Sequence, residues 1–580
     1  MGTTALTYSD GSEARVLEIL RASSDLSSTS AEMCDRAENW AERYHTHPSR
    51  GNVIRAFDIP AGSSILEIGA GCGGVTRYLG EVGAIVDALE PMPARALAAR
   101  ERTRDLPGVE VLVGELDDLP QEASYDLVVV VGVLEYVGLG TEDPTPYVSF
   151  LTEIRKRLNP GGSLVLAIEN QFGVKYLAGA PEDHTSQVFD SIEGYPRGER
   201  ARTFSRSALL RMAIDAGLTG SMLAVFPDYK LTEAVFDPDR FPVNSRPMLT
   251  TLSTFPSPDW SVPRPSLASE RLIWGELVKA GLASETSNSF VMLATEKPDA
   301  AAGLWPAGRA ARSWSIDVRP DFASQTTTSV SVDGSTVISH SAELTPASPP
   351  EKNIHRVLIT EHFVDGAPLA ERIAAASIQE RIELLSRWQS LLAANTTDIG
   401  FPLHDSTIVL ADGELVTRAP NIRIESINFE QALARGVLQI GIAAAQQSSP
   451  SCWPGATTVQ DVVLHLASLI TLDRADWLET TLTTEAQIRS VVSARYRSSI
   501  SEAAWRDELT VTLARRLDSL ELGTRSFAAK PHFDVDTEDL RTSLAASQNL
   551  LAEAQREVER LRSTPSGSLI LRRLLQLLRR

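Results

Sequence analysis

Four glycines fall within six positions in the stretch ILEIGAGCGGVTRYLG, residues 65–80, and Glu67 stands two residues ahead of the first of them. Glycine tolerates positive φ and lets a ligand approach bare backbone. Gly69, Gly71 and Gly73, set between an apolar run and a helical pattern, therefore suggest a nucleotide cradle. A tight turn that holds nothing is the other reading. A dinucleotide would seat its pyrophosphate on the helix that follows such a turn. A carboxylate beside the cradle repels phosphate and suits a ligand carrying an ammonium.

S-adenosylmethionine carries an ammonium and a sulfonium and has no phosphate, so it is the expected cofactor. Glu90 closes the next apolar run, where an acidic side chain can accept from both ribose hydroxyls; dinucleotide enzymes use the same device, so Glu90 alone does not discriminate. Glu115, in VLVGELDDLP, is placed to accept from an adenine amino group with Leu116 against the ring. It reads equally as a solvated loop acid. On the acceptor side, displacement at a sulfonium needs nucleophile, carbon and sulfur held in line, and a sugar hydroxyl must also lose a proton. His184 lies just past the fifth apolar run, where ligands gather at the carboxyl ends of parallel strands. Asp183 and Glu182 could orient its imidazole or hold a polar acceptor. Glu135, in VLEYV, could serve as the base instead, and Glu169 with Asn170 could shape the site; a turn-capping role for His184 is the alternative.

These residues need a scaffold, and the pattern supplies one. SSILEI, AIVDALE, VEVLVG, YDLVVVV and GSLVLAIE are near-continuous apolar runs separated by helical segments, as in a parallel sheet covered on both faces. The fold class is α/β, a doubly wound Rossmann-like sheet. SMLAVF (221–226) and SFVMLATE (289–296) are late strands that complete it. Between them Pro256, Pro258, Pro263 and Pro265 mark a lid or rim. Residues 1–296 read as one domain with an N-terminal helical cap, 297–311 as a linker, and 312–530 as an α+β domain with hairpin turns at Asp333-Gly334 and Asp412-Gly413. A heptad seam over 537–563 predicts a short coiled coil. Residues 567–580 form a basic amphipathic helix that can lie on an anionic membrane or dock on a protein.

The segments LEIGAGCG, DALEP, GELDDLP, YDLVVVVGVLEYV and LNPGG, in that order, resemble the class I S-adenosylmethionine-dependent methyltransferases. The resemblance implies that Glu67, Gly69, Gly71, Glu90 and Glu115 line the cofactor site and that Val133 and Leu134 border the transferred methyl. RYHTHPSR resembles the capping helix that such enzymes fold over the amino-acid end of the cofactor, which makes Tyr44 and Arg50 cofactor-binding residues; a plain surface helix is the alternative. The stretch after the fifth run, with FPDYK, is similar to methyltransferases of bacterial surface-polysaccharide (O-antigen-type) synthesis, some of which join a kinase domain and a coiled coil. That implies a glycan acceptor or a phosphorylated glycan end. A kinase needs a lysine for nucleotide phosphates and an aspartate and asparagine for the hydroxyl and magnesium. Here Ser339 and His340 stand where the lysine is expected, and His404 and Asp405 are followed by no asparagine at metal-binding spacing. A degenerate kinase-like domain is the expectation.

Composition narrows the remaining classes. The chain has 580 residues, 43% hydrophobic and 22% charged, with a formal net charge of -20. Such an acidic surface disfavours nucleic acid. Cys34, Cys72 and Cys452 are too scattered for a zinc knuckle or a disulfide framework, and no metal ligand set is read. Without a secretion signal or an apolar run of ~18 residues the protein is expected in the cytoplasm, with peripheral contact at the inner face of the membrane through the last helix. The expected partners are a glycan or small-molecule acceptor, a glycosyltransferase, and a second copy joined through the coiled coil. A small-molecule O- or N-methyltransferase of secondary metabolism, or a cofactor-binding scaffold for glycosyltransferases, are the competing functions.

Overall fold

In the computed structural model, residues 10–517 are described apart from 197–200, 246–247, 256, 258–266, 298–302, 316–317, 332–335, 346–352, 395–406, 419–420, 426, 447, 471, 473–475 and 496–497. The predicted coiled coil and terminal basic helix lie outside the described residues, as do His404, Asp405 and the four prolines of the rim.

The five apolar runs become β1 (Ser64–Ile68), β2 (Ile85–Glu90), β3 (Val109–Val113), β4 (Tyr125–Val131) and β5 (Leu158–Glu169), parallel to one another in the order β3-β2-β1-β4-β5. The late strands are β6 (Thr219–Phe226) and, after the short β7 (Ala234–Phe236), β8 (Ser289–Thr295). β8 runs antiparallel to β5, and β6 antiparallel to β8. Alternation along a strand sends successive side chains to opposite faces. Ile65 and Val129 accordingly pack under the helices Asn52–Arg55 and Gly74–Glu81, with Val53, Ile54, Val75 and Leu79. Leu66, Ile68, Val128 and Val130 face the helices Pro146–Lys156 and Arg206–Asp215, meeting Leu151, Ile154, Leu209 and Ala213. Apolar strands with a core on each face are what a doubly wound sheet requires.

The predicted linker is not one. β9 (Arg309–Trp314) begins inside the stretch 297–311 and pairs antiparallel with β7, Val235 opposite Arg312. β10 (Ser324–Val330) and β11 (Val337–Glu343) follow antiparallel. After β12 (Ile354–Arg356), β13 (Thr360–His362) closes a single sheet of 12 strands that runs from the first predicted domain into the second. Polar contacts seal the join: Arg309 and Arg312 both reach Asp58, and Arg312 also donates to the carbonyl of Arg55 at 3.1 Å. Apolar periodicity has no symbol for such a join, because an edge strand looks the same whether its neighbour belongs to its own unit or to the next.

β10 and β11 pair as the Asp333-Gly334 hairpin reading predicted, with the turn itself outside the described residues. Ser339 bonds Thr328 at 3.0 Å and His340 bonds Thr360 at 2.7 Å, so both side chains tie strand to strand. The Asp412-Gly413 turn joins Thr407–Val409 to Leu415–Thr417, with Gly413 at φ +84. Helices including Leu369–Ala375, Ile378–Ala394, Phe429–Gln446 and Val459–Leu469 then bury Trp388, Leu438, Val463 and Leu466 in a core of their own. Inside it Glu485 accepts from Arg435 at 2.8 Å, from Gln439 at 2.9 Å and from Arg489 at 2.9 Å.

Burial alone would raise the Glu485 carboxyl, but Arg435 and Arg489 outweigh it and hold it down to about 2. Its contribution to stability is therefore present above the ordinary carboxylate value of 4.5 and is lost as the pH falls toward 2. Glu485→Ala leaves a buried guanidinium uncompensated and is expected to cost about 3–5 kcal/mol at pH 7. Urea unfolding of wild type and variant at pH 7 and pH 3 checks this: the gap between the two should narrow at the lower pH.

Candidate active site

The glycine turn follows β1 directly and precedes the helix Gly74–Glu81. Gly69, Gly71 and Gly73 all take positive φ, +78, +56 and +79. The reasons differ along the turn. A Cβ added at Gly69 would sit 2.4 Å from Cγ2 of Val133, whereas one at Gly71 would meet nothing within 4 Å. Gly69 thus lets Val133 lie close over the turn, and Gly71 faces open space. Across the turn, Glu90 at the end of β2 accepts from the backbone N–H of Gly71 at 2.8 Å and from that of Met92 at 2.9 Å. The two bonds fix the carboxylate beside the cradle.

Glu67 is buried, and its Oε2 has no hydrogen-bond partner. Burial pushes its carboxyl up to about 8, with Arg50 working in the opposite direction. Arg50 lies over the ring of Tyr44, 4.2 Å from its centroid, and its Nη1 donates to the backbone carbonyl of Lys230 at 2.8 Å. Tyr44 sits on the helix Trp40–Thr46, whose N-terminus is capped by Asn39 accepting from the N–H of Glu42. The cap is anchored from outside by His45, whose Nε2 meets Asp10 at 2.8 Å. One arginine therefore connects the N-terminal cap, the first strand and the acceptor-side loop.

These residues fit S-adenosylmethionine. A buried carboxyl with an unmatched oxygen can receive an ammonium, Glu90 can receive hydroxyls, and the backbone is bare and open above Gly71. Two of the expected contacts fall elsewhere. Leu134 is wholly buried in the core with Leu151, Ile154 and Ile168, so only Val133 of that pair faces the turn. Glu115 has an exposed side chain, and its backbone N–H is taken by Asp118 at 2.8 Å, while Leu116 is buried just beyond it.

The acceptor side is a cluster of charges at the carboxyl ends of β4, β5 and β6. Glu135 follows β4, Glu169 ends β5, and Asp228, Tyr229 and Lys230 follow β6. The loop after β5 supplies Lys175, Glu182, Asp183 and His184. Three of the four non-glycine residues with positive φ among the described residues, Ser186, Phe189 and Tyr195, lie in its continuation. Such conformations cost energy and persist where surrounding contacts impose them. His184 Nδ1 meets Glu182 at 2.9 Å, and Glu182 also accepts from the backbone N–H groups of His184 and Thr185 at 2.8 and 2.7 Å. Burial disfavours charge on His184, but the bond to Glu182 and the nearby Glu169 carboxylate overcome it and lift the imidazole to about 9. Burial, reinforced by Glu169, pushes the Glu135 carboxyl well above the ordinary range. Tyr229 donates to Glu135 at 3.4 Å, and Tyr136 packs edge-on against His184 with centroids 5.5 Å apart.

Asp183, expected beside the catalytic groups to orient His184 or hold a polar acceptor, meets cations. Lys175 Nζ lies 2.7 Å from its Oδ2, Lys230 Nζ 3.1 Å and the Tyr176 hydroxyl 3.1 Å. Burial would raise its carboxyl, but the two lysines outweigh that and keep it well below the ordinary value. It is a permanent counter-ion that positions both lysines. Lys175 also pairs with Asp228 at 2.7 Å, and Lys230 with Glu169. The sequence pattern assigns no role to the lysine of FPDYK, to Lys175 or to Tyr136. The usable signal was a cation within the first turn after a strand end that is already rich in carboxylates.

Residues 66–164 match the family model described as a methyltransferase domain. Among curated proteins, an uncharacterized 37.1 kDa protein in transposon TN4556 of Streptomyces fradiae is 29% identical over 183 residues, 28% of this chain and 46% of that protein. The ubiquinone biosynthesis O-methyltransferase of Xanthomonas axonopodis pv. citri (strain 306) is 31% identical over 129 residues, 22% of this chain and 51% of that one. The chain thus spans about half the length of the curated relatives it matches. A solved structure, a TehB-like SAM-dependent methyltransferase from Corynebacterium glutamicum, aligns with 43% of this chain and 88% of its own at 19% identity and a TM-score of 0.24. Residues 66–164 are thus a methyltransferase domain, and the residues around its glycine turn fit S-adenosylmethionine as the cofactor.

A ligand ammonium should draw the proton off Glu67. Affinity for S-adenosylhomocysteine is therefore expected to rise with pH up to about 8, the value to which burial lifts Glu67, and then to level. Glu67→Gln should bind at least about ten-fold more weakly, a loss of ~1.4 kcal/mol. Its pH profile should keep only the ligand's own titration. Calorimetry in two buffers of different ionisation enthalpy measures both, and identical proton release by the two proteins would rule the assignment out.

Proposed function

We propose that the chain moves the methyl group of S-adenosylmethionine to an oxygen of a cell-surface glycan or its lipid-linked precursor. The observation that carries this reading is the character of the acceptor side: the buried carboxyls of Glu135 and Glu169 and the half-buried His184 form one polar centre, which suits an acceptor with a proton to lose. In the reaction the acceptor oxygen forms its bond to the methyl carbon as the carbon–sulfur bond breaks, and S-adenosylhomocysteine leaves. The hydroxyl proton passes to whichever of Glu135 and His184 presents an unprotonated oxygen or nitrogen when the acceptor is bound. Lys230 and Asp183 line the approach with one donor and one acceptor, a pairing suited to sugar hydroxyls. The surface-polysaccharide assignment draws further support from the resemblance of the stretch after β5. Contact with a glycosyltransferase, pairing of chains through the coiled coil and docking of the last helix on the membrane belong to the same proposal. No helix among the described residues is long and apolar enough to cross a membrane.

A second reading is a small-molecule O-methyltransferase. It is favoured by the similarity to the Xanthomonas ubiquinone biosynthesis O-methyltransferase over 129 residues. The two separate on where label goes. With labelled methyl donor and a cell-envelope extract, counts are expected in the polysaccharide or lipid-linked fraction; counts confined to small soluble products would support the second reading. Glu135→Gln and His184→Ala should each slow turnover about 10²–10⁴-fold, the range for loss of proton-transfer assistance. Their affinity for S-adenosylhomocysteine should stay within about three-fold of wild type, which calorimetry reads directly.

A further inference from the structure

Two groups of carboxylates meet at the end of β5, and they are balanced differently. In the first, single ligand atoms of Glu169, Asp183 and Asp228 lie within 4.8 Å of one another, and two ammonium groups already fill the space between them: Lys175 reaches Asp183 and Asp228, and Lys230 reaches Glu169, Asp183 and Asp228. In the second, single ligand atoms of Glu135, Glu169 and His184 likewise lie within 4.8 Å of one another. Among the described residues no lysine or arginine side chain forms an ion pair with the Glu135 carboxyl, and Arg202 meets only its backbone carbonyl, at 3.0 Å. Glu135 and Glu169 are both completely buried, and each spends one oxygen on a neighbour, Tyr229 for Glu135 and Lys230 for Glu169. The second oxygen of each, Oε2, is buried and receives no hydrogen bond from an N–H or hydroxyl donor, and the two carboxyls lie within hydrogen-bonding reach of one another. Two such groups side by side are costly unless a shared proton or a cation lies between them.

The third member carries an independent mark. His184 commits Nδ1 to Glu182, and Glu182 is itself fixed by two backbone N–H groups, with the Tyr195 hydroxyl 3.3 Å away. That leaves Nε2 as the ring nitrogen for a ligand. A carboxylate holding the far nitrogen of an imidazole is the arrangement that sets the tautomer and ring direction of metal-bound histidines. Asn170 does not join the set: its amide donates to the carbonyls of Glu285 and Ser287 at 2.8 Å each.

We propose that Glu135, Glu169 and His184 form a divalent-cation site at the acceptor end of the pocket, with Glu182 as its orienting outer partner. Two carboxylates and one imidazole are a mixed oxygen–nitrogen set, which suits Mn2+ or a similar first-row ion better than Mg2+ or a thiolate-seeking metal. Binding displaces the proton that the three side chains otherwise share, because each must present a lone pair. With the ion bound, Glu135 and His184 would hold it in place of taking the acceptor's proton directly; the cation would supply the charge that acidifies a bound hydroxyl, whose proton would leave to solvent, so the site serves an oxygen acceptor of either class named above. The inference does not depend on which acceptor is used.

The test uses the full-length chain, stripped with chelator and titrated with MnCl2 while free Mn2+ is followed by its paramagnetic resonance and heat by calorimetry. One Mn2+ per chain is expected, with proton release. Affinity should fall at least ten-fold in His184→Ala and in Glu135→Gln, and ten- to hundred-fold in Glu182→Gln, the range for loss of an outer partner. S-adenosylhomocysteine binding, measured on the same samples, reports that each variant is folded. Absence of stoichiometric uptake, or uptake equal in wild type and His184→Ala, overturns the site; so does a proton count of zero on binding. Uptake of Mn2+ by a chain that methylates nothing in the envelope extract would sink the glycan reading and leave the cation site standing. Methylation of glycan by a chain that takes up no Mn2+ would do the reverse.

Discussion

The structure turns on the burial of five carboxylates, those of Glu135, Glu169, Glu182, Asp183 and Asp228, in and around one loop-built wall at the end of the sheet. Removing so many anions from water is unfavourable unless cations and hydrogen bonds go with them. Lys175 and Lys230 provide the cations, bracing Asp183 and Asp228 between them, and Lys230 extends the brace to Glu169. Because the partners come from the loop after β5 and the loop after β6, the ion network fixes where those two loops stand. The tyrosines and His184 then pack against a wall already set.

That wall is joined to the cofactor side by a short route. Arg50 leaves the N-terminal cap, covers Tyr44 and donates to the carbonyl of Lys230, while Asn52 donates to the carbonyl of Thr232 at 2.8 Å. The loop between β6 and β7 thus feels the cap on one side and the charge network on the other. On its far side it leads into β7, which carries β9 and the rest of the extended sheet. A segment of about seven residues is shared by cofactor cap, acceptor wall and second unit. This gives a structural reason for the second unit to continue the sheet rather than hang from a linker: β7 is short, and pairing with β9 satisfies an edge that would otherwise expose backbone donors and acceptors.

Much of this was legible in the chain. The five parallel strands, the two late strands that complete the sheet and the glycine turn followed from apolar runs and glycine spacing, since strand formation and turn geometry are decided by neighbours a few residues away; the reversed direction of β8 did not. Glu67, Gly69, Gly71 and Glu90 were readable for the same reason, each being tied to a strand end. Val133 and Leu134 were read together as bordering the transferred methyl; in the structure Val133 lies over the glycine turn and Leu134 in the core, because adjacent residues in a tight turn point to different sides and only packing reveals which. Glu135, Glu169 and His184 could be named singly; that they share one small space could not.

The sequence by itself determined which residue types stand at the carboxyl ends of the strands, and with them the class of cofactor. Local periodicity and glycine position carry that information without reference to anything distant. Only the tertiary structure decided what those residues meet: that Asp183 stands between two lysines, that Lys175 and Lys230 pair with Asp183 and Asp228 while only Lys230 reaches across to Glu169, and that β9 belongs to the first sheet. Each of these is a balance of charge or of edge hydrogen bonds between segments from several to more than 70 residues apart. Such balances exist only once the chain has closed on itself.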